Sequence, residues 1–327
     1  MNTPTASPFT DIRALISGMP ESDTESVAEL ATLLQSTAHL HPIGQCDAPA
    51  LWLAGWQGRS QIAIERPLAA IFIASHGVAQ SVRGIDPIIG AQERTELMTK
   101  GPAGVRAMAG SYGAAFKVFE LGIEYPSADM QIAPSLSERD CAAAIAFGME
   151  VVAEGADILM LGSAGFGAVS AAAAITLALY GGEAEYWASG QGPYASARVE
   201  AISAAVKHHA GQLGDPLEVL RRFGGRDIAG MVGAILAARH QRIPVLLDGF
   251  VTCAAAAILH EIDPSALHHC TAAHLSSEPA HGALLDRIGK TPLLDMGIGV
   301  GDGTGAILAM GVLKAAASAV GIMETAL

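Results

Sequence analysis

The sequence predicts an α/β fold built on a mostly parallel sheet. Short apolar runs alternate with longer stretches of helical pattern along the chain, the order expected when strands are joined by crossover helices. Glycine-containing turns lead from such runs straight into helical segments, as at Gly162 to Gly167 and Gly297 to Gly305. The 327 residues are 51% hydrophobic and 16% charged, enough to bury a full core, which excludes a disordered chain.

Taken in order, Ser22 to Leu40 reads as a helix, with Val27, Leu30, Leu33 and Leu34 in one stripe. Leu51 to Trp56 fits a second helix. Leu68 to Ser75 is a buried strand ending at His76-Gly77, and Phe116 to Ile123 is another strand. Ser137-Glu138-Arg139-Asp140 is cap-like and opens a helix to about Glu154. Asp157 to Leu161 is a strand, Gly162 to Gly167 a turn and Ala168 to Tyr180 a helix. Asp215 to Arg222 is helical and stops at Gly224-Gly225. A helix (Ile228 to His240), a strand (Pro244 to Leu247) and a helix (Thr252 to His260) follow. Leu293 to Gly301 is extended, and Thr304 to Val320 is helical. Ligands of such a sheet sit where strand ends enter helices. The one boundary visible in the sequence lies near Ile64 to Pro67.

Charge narrows the function. Nineteen Lys+Arg against 32 Asp+Glu give −13, which repels phosphate backbones and argues against nucleic acid as a partner. A local anion pocket of backbone N–H groups remains compatible with that field. Cys46, Cys141, Cys253 and Cys270 are far apart, with no Cys-x-x-Cys; they read as reduced, buried thiols of a cytoplasmic protein. Met1 to Asp11 lacks the layout of a signal peptide. Ile158 to Gly182 is uncharged and long enough to span a bilayer. Gly162, Gly165 and Gly167 interrupt it, so a buried strand, turn and helix is expected, and no membrane. His268-His269 and His39-x-His41 lack metal-ligand spacing, so no metal is expected.

Five glycines alternate from Gly297 to Gly305. A strand that needed only packing would gain from side chains there. Glycines admit a ligand close to the backbone, and the following helix is expected to offer free N–H groups to an anion. Asp302, the lone carboxylate of that segment, is a candidate general base. It fits equally well as a cap for the helix beginning near Thr304. The Gly162–Gly167 turn is a second candidate phosphate cradle, although a tight buried turn would look the same. It matches neither the dinucleotide fingerprint nor the P-loop. Asp248, at a strand end, either orients a neighbour or closes a turn, and His76 has the same ambiguity. His274 and Glu278 are expected to share a helix face.

Several longer motifs occur in order: Ser75-His76-Gly77-Val78, Leu136 to Cys141, Ala178 to Gly182, Arg221 to Ile228, Pro244 to Gly249, His274 to Pro279 and Gly301 to Ala306. Together they closely resemble the nicotinate-nucleotide–dimethylbenzimidazole phosphoribosyltransferase family, over roughly residues 10 to 320. The resemblance implies a Rossmann-like domain over 67–305, a smaller helical lobe from 1–66 and 306–327, and a homodimer. It implies transfer of phosphoribosyl from nicotinate mononucleotide to 5,6-dimethylbenzimidazole or a related base, without a cofactor, in cobalamin biosynthesis. Asp302 stands where the family has its catalytic glutamate. Gly165, Gly167, Ser170, Arg198, Gly301 and Gly303 fall at phosphate and nucleotide positions, and His76, Glu93 and Ser163 at base positions.

Some family positions differ. The family's Gly-Glu-Met-Gly-Ile-Gly-Asn-Thr-Thr is here Gly162-Ser163-Ala164-Gly165-Phe166-Gly167-Ala168-Val169-Ser170. Its Gly-x-Gly-Thr-Gly is Ser189-Gly190-Gln191-Gly192-Pro193, and its N-terminal proline-glycine motif is replaced around His39 to Ala48. These departures define the alternative expectation: a catalytically impaired paralogue that binds base or nucleotide, or serves as a partner subunit of an active enzyme.

Overall fold

The computed structural model describes residues 7–38, 43–188 and 193–325. Five strands form the main sheet: β1 (Pro67–Ile73), β2 (Ala115–Glu120), β3 (Ile158–Ser163), β4 (Val245–Leu247) and β5 (Cys270–Ala272). Their order is β2-β1-β3-β4-β5, and every pairing is parallel. Chain order reverses between β1 and β3, which puts the ligand-binding crevice of such a sheet at their C-terminal ends. A second, two-stranded parallel sheet pairs β6 (His274–Ser276) with β7 (Leu294–Ile298).

Strand alternation explains how the core divides. Leu68, Ala70 and Phe72 of β1, with Leu159 and Leu161 of β3, face one apolar cluster. Ala69, Ile71 and Ile73, with Ile158 and Met160, face the other. Strands buried on both faces read as continuous apolar runs, which is why β1 and β3 were legible. Helices Glu138–Met149, Ala168–Tyr180, Arg226–His240 and Gly249–Ile262 cover the first face. Thr24–Thr37, Asp47–Gln57 and Thr304–Thr325 pack on the second, whereas Pro8–Ser17 packs on the first.

The Ile158–Gly182 stretch is a strand, a turn and a helix, Ala168–Tyr180. By length and composition alone, Thr304–Met323 passes as a membrane span; half of it is buried inside the protein. Three further expectations need correction. His274 lies on β6 paired with Leu294 of β7, so it shares no helix face with Glu278. Cys46 is only half-buried, because it ends the short helical turn Gly44–Cys46 rather than entering the core. The helix expected from Ser137 to Glu154 breaks to a 3₁₀ turn at Glu150–Val152. His39 and His41 fall outside the described residues.

Helices Glu138–Met149 and Arg226–His240 approach closely because glycines face backbone. A Cβ on Gly148 would lie 1.8 Å from the Gly230 carbonyl oxygen, and one on Gly233 would lie 1.9 Å from that of Ile145. Backbone cannot rotate aside as a side chain can. Gly233→Ala is therefore expected to lower stability by about 3 kcal/mol, the upper end of overpacking costs, measured as the shift in urea midpoint.

Candidate active site

A cavity of about 370 Å³ opens at the C-terminal ends of β3 and β4. Its walls include the β3 turn with Ser163, Gly165 and Gly167, the first turns of helices Ala168–Tyr180 and Gly249–Ile262, and Gly299 to Gly301. Neither of those helices has a side-chain cap. Two helix N-termini without a side-chain cap thus face the same space, although at the first the Ala168 and Ser170 N–H groups already donate to the Gly165 and Gly167 carbonyls at 3.4 and 3.0 Å. Gly167 makes the first entry possible, with φ of 99°.

Three guanidinium groups join them. Arg83, Arg94 and Arg198 all line the cavity. Arg83 is held between the rings of Phe166 and Tyr194, 5.1 Å from each centroid. Burial depresses the Arg94 pKa, and the like charge of Arg83 depresses it further, against an opposing effect of Asp302. An acidic chain has thus concentrated positive charge in one concave place, a site that gains from a bound anion. Ser163 adds a shielded hydroxyl with no protein hydrogen-bond partner, the kind of group a ligand satisfies. Glu278 supplies a carboxylate to the wall.

Ser163, Gly165, Gly167, Ser170, Arg198 and Gly301 are therefore brought together. The other anticipated residues lie off the wall. His76 is 1% exposed beneath it, with Nε2 2.9 Å from Asp227 Oδ1. Gly165 leaves room for that pair, since a Cβ there would meet Asp227 at 1.9 Å. Glu93 is exposed on helix Pro87–Thr99, beside the lining Arg94. Residues 189–192 of the altered glycine segment lie outside the described residues.

The Gly301–Gly305 turn differs from expectation in one respect. Its helix, Thr304–Thr325, offers few free donors, because two carboxylates already close it. Asp248 Oδ2 accepts from the Gly303 N–H and Oδ1 from the Ala306 N–H, both at 2.7 Å. Asp302 Oδ1 accepts from the Thr304 N–H at 3.2 Å and its hydroxyl at 2.7 Å. Asp302 is thus a cap, half-buried next to Gly301 on the wall, with Oδ2 uncommitted to any hydrogen bond among the described residues. Gly303 is buried with φ of 97°, and a Cβ there would meet Ile71 at 2.8 Å. Arg83 and Arg94 escaped the sequence reading, whereas Glu278, expected there only as a helix-face neighbour of His274, lies on the wall. For Arg94 a signal existed: Asp86-Pro87 is a helix start, and Asp86 Oδ1 accepts from the Ile88 N–H at 2.8 Å.

Among the described residues, no group of three or more His, Cys, Asp or Glu is placed to hold a metal ion. Fold and cavity together define an α/β protein with a cationic cavity at the carboxyl edge of a parallel sheet. A family model described as phosphoribosyltransferase matches residues 19–326. A protein of Allorhizobium ampelinum named nicotinate-nucleotide–dimethylbenzimidazole phosphoribosyltransferase is 46% identical over 321 residues, spanning 96% of this chain and 94% of that one. One of the same name from Agrobacterium fabrum is 46% identical over 316 residues, spanning 95% and 92%. The solved structure of the Thermus thermophilus enzyme of that name superposes with a TM-score of 0.79 at 29% identity, covering 91% of this chain and 96% of that one. The chain belongs to the nicotinate-nucleotide–dimethylbenzimidazole phosphoribosyltransferase family.

Proposed function

We propose that this cavity transfers phosphoribosyl from nicotinate mononucleotide to a ring nitrogen of 5,6-dimethylbenzimidazole or a related base. The products are α-ribazole 5′-phosphate and nicotinate, a step of cobalamin biosynthesis. One observation carries the reading from this chain's own residues: three guanidinium groups and two uncapped helix N-termini meet around one cavity. Such a grouping of donors and positive charge suits a phosphate.

The phosphate sits against the backbone at Gly165 and Gly167, with Ser170 and Arg198, and the sugar lies along Gly301. Glu278 offers an acceptor for ribose hydroxyls. Gly303, its N–H already taken by Asp248, contributes by letting the turn pack closely. On the base side Ser163 Oγ supplies the hydrogen bond it lacks in the protein. His76 acts from beneath through Asp227, and Glu93 flanks Arg94. As the nicotinate–C1′ bond breaks, positive charge builds on the ribose. The incoming nitrogen bonds C1′, and its heterocycle loses a proton to Asp302. Nothing is oxidised or reduced, so the step requires no redox cofactor. The same reading makes the protein a cytoplasmic homodimer whose chain ends, 1–66 and 306–327, flank the 67–305 domain.

Arg198→Ala is expected to raise KM for nicotinate mononucleotide about 10- to 100-fold, the worth of one charge-assisted hydrogen bond. The deciding experiment incubates the protein with nicotinate mononucleotide and a panel of bases, with detection by mass spectrometry. A riboside phosphate appearing with free nicotinate supports the reading and identifies the acceptor. No product at high enzyme concentration, with either substrate still bound, would replace it by a non-catalytic binder.

A further inference from the structure

Asp248 occupies the N-cap position of helix Gly249–Ile262, yet it makes no cap bond to that helix. Its carboxylate instead reaches the neighbouring helix and takes the Gly303 and Ala306 N–H groups at 2.7 Å each. Two consequences follow. The helix that Asp248 begins stays open to the cavity, and the turn bearing Asp302 is held from below by two charge-assisted bonds. The Gly301 carbonyl accepts a third bond at 2.7 Å, from the Ser163 N–H at the end of β3.

Behind Asp248 stands His274. Both side chains are 0% exposed, and His274 Nε2 lies 3.3 Å from Asp248 Oδ1, an ion-pair separation rather than a directed hydrogen bond. Burial alone would depress the imidazole pKa; the Asp248 carboxylate and the Leu275 backbone together reverse this, and the net direction is upward. The ring also fixes the turn sterically, because a Cβ on Gly305 would lie 2.0 Å from His274 Cδ2. A buried carboxylate needs such a partner to stay charged.

We propose that Asp248 and His274 form a positioning pair that acts through the Gly301–Ala306 turn to hold Asp302 in register with the reacting ribose. The proposal rests on the function argued above for Asp302. Neither residue touches substrate. Loosening the turn by about 1 Å is enough to slow a proton transfer about 10²-fold, without disturbing the cationic groups that bind phosphate.

Asp248→Asn keeps the side-chain volume but turns one acceptor into a donor facing an N–H. It is expected to lower kcat about 10²-fold, with KM for nicotinate mononucleotide within threefold. Introduced into Asp302→Asn, it is expected to leave the residual rate unchanged, because the residue through which it acts is already disabled. His274→Gln, which still presents an N–H donor, retains kcat within about threefold, while His274→Leu loses at least tenfold. Hydrogen exchange read by mass spectrometry over 299–310 is expected to quicken at least tenfold in Asp248→Asn and His274→Leu. A kcat for Asp248→Asn within threefold of wild type, a further loss on the Asp302→Asn background, or unchanged exchange would each overturn the proposal. If the wild type transfers nothing, the function of the site fails, and the exchange comparison alone decides whether the pair holds the turn.

Discussion

Replacing Asp302 by asparagine is expected to reduce transfer by about 10²- to 10⁴-fold, the range of a single general base. Replacing it by glutamate is expected to preserve or raise transfer. The two substitutions separate two roles that this side chain holds at once. As a cap, Asp302 accepts the Thr304 N–H and hydroxyl through Oδ1. Asparagine keeps that oxygen and is as good a cap, so the turn survives while the ability to take a proton is lost. Glutamate does the reverse. It is a poor cap, costing about 1 kcal/mol of stability, but its extra methylene carries the carboxylate further from the backbone. A base is therefore revealed by activity and stability separating: asparagine loses rate but not stability, and glutamate loses stability but not rate. Steady-state rates and thermal melts of the same preparations read both. Asparagine at wild-type rate would leave Asp302 with the cap alone. A wild type that binds nicotinate mononucleotide but releases no nicotinate would move the chain to the impaired-paralogue reading.

What the sequence could reveal depended on how far apart the interacting residues lie. Helix Ala168–Tyr180 has the bounds expected of it, because glycines punctuate both ends of an apolar segment and punctuation is local. The strands β1 and β3 are legible because a continuous apolar run is a local signal too. Helix Pro87–Thr99 is not, since it buries only Gly90, Ala91 and Met98 and presents no apolar stripe, although its Asp-Pro start was there to be read. Arg94 comes from that helix, so the cationic character of the cavity stayed hidden behind a net charge of −13. The closing of helix Thr304–Thr325 was hidden more deeply. Its cap lies at Asp248, 55 and 58 residues before its two donors, and only the adjacency of β3, β4 and the small sheet brings them together. Local signals locate a glycine turn; they do not say whether its N–H groups are already taken.

Stability is expected to fall steeply with acid, because buried histidines are held neutral, two of them most strongly. His269 and His281 are both 0% exposed, and burial pushes each ring down to about 3 from 6.5. At His269 the charges of Arg239 and Lys290 add to burial, and Nε2 donates to the Ile235 carbonyl at 2.9 Å. At His281 the charge on His274 adds to it, and Nδ1 accepts the Ser276 N–H at 2.9 Å, which bars a proton from that nitrogen. Below pH 6.5 the unfolded chain binds protons that these two rings refuse when folded, and His209, buried and lowered by the same cause, acts in the same direction. Stability therefore drops as pH falls, by about 1.4 kcal/mol per unit for each histidine and about 3 kcal/mol for the pair, until pH approaches 3. His274 has the opposite sign. Its pKa is raised, so its contribution is complete below 6.5 and is lost only as pH rises through its folded value. It adds no slope on the acid side. For a domain of ordinary stability, two pH units consume most of the margin. Urea unfolding at pH 6.5 and 5.5 measures the slope directly, and His281→Gln is expected to reduce it by one histidine's share, since a glutamine oxygen can still accept the Ser276 N–H. A slope near zero between those two pH values would mean that both rings take up protons in the folded chain, through an opening that the packing around Cys253 and Ile235 does not provide.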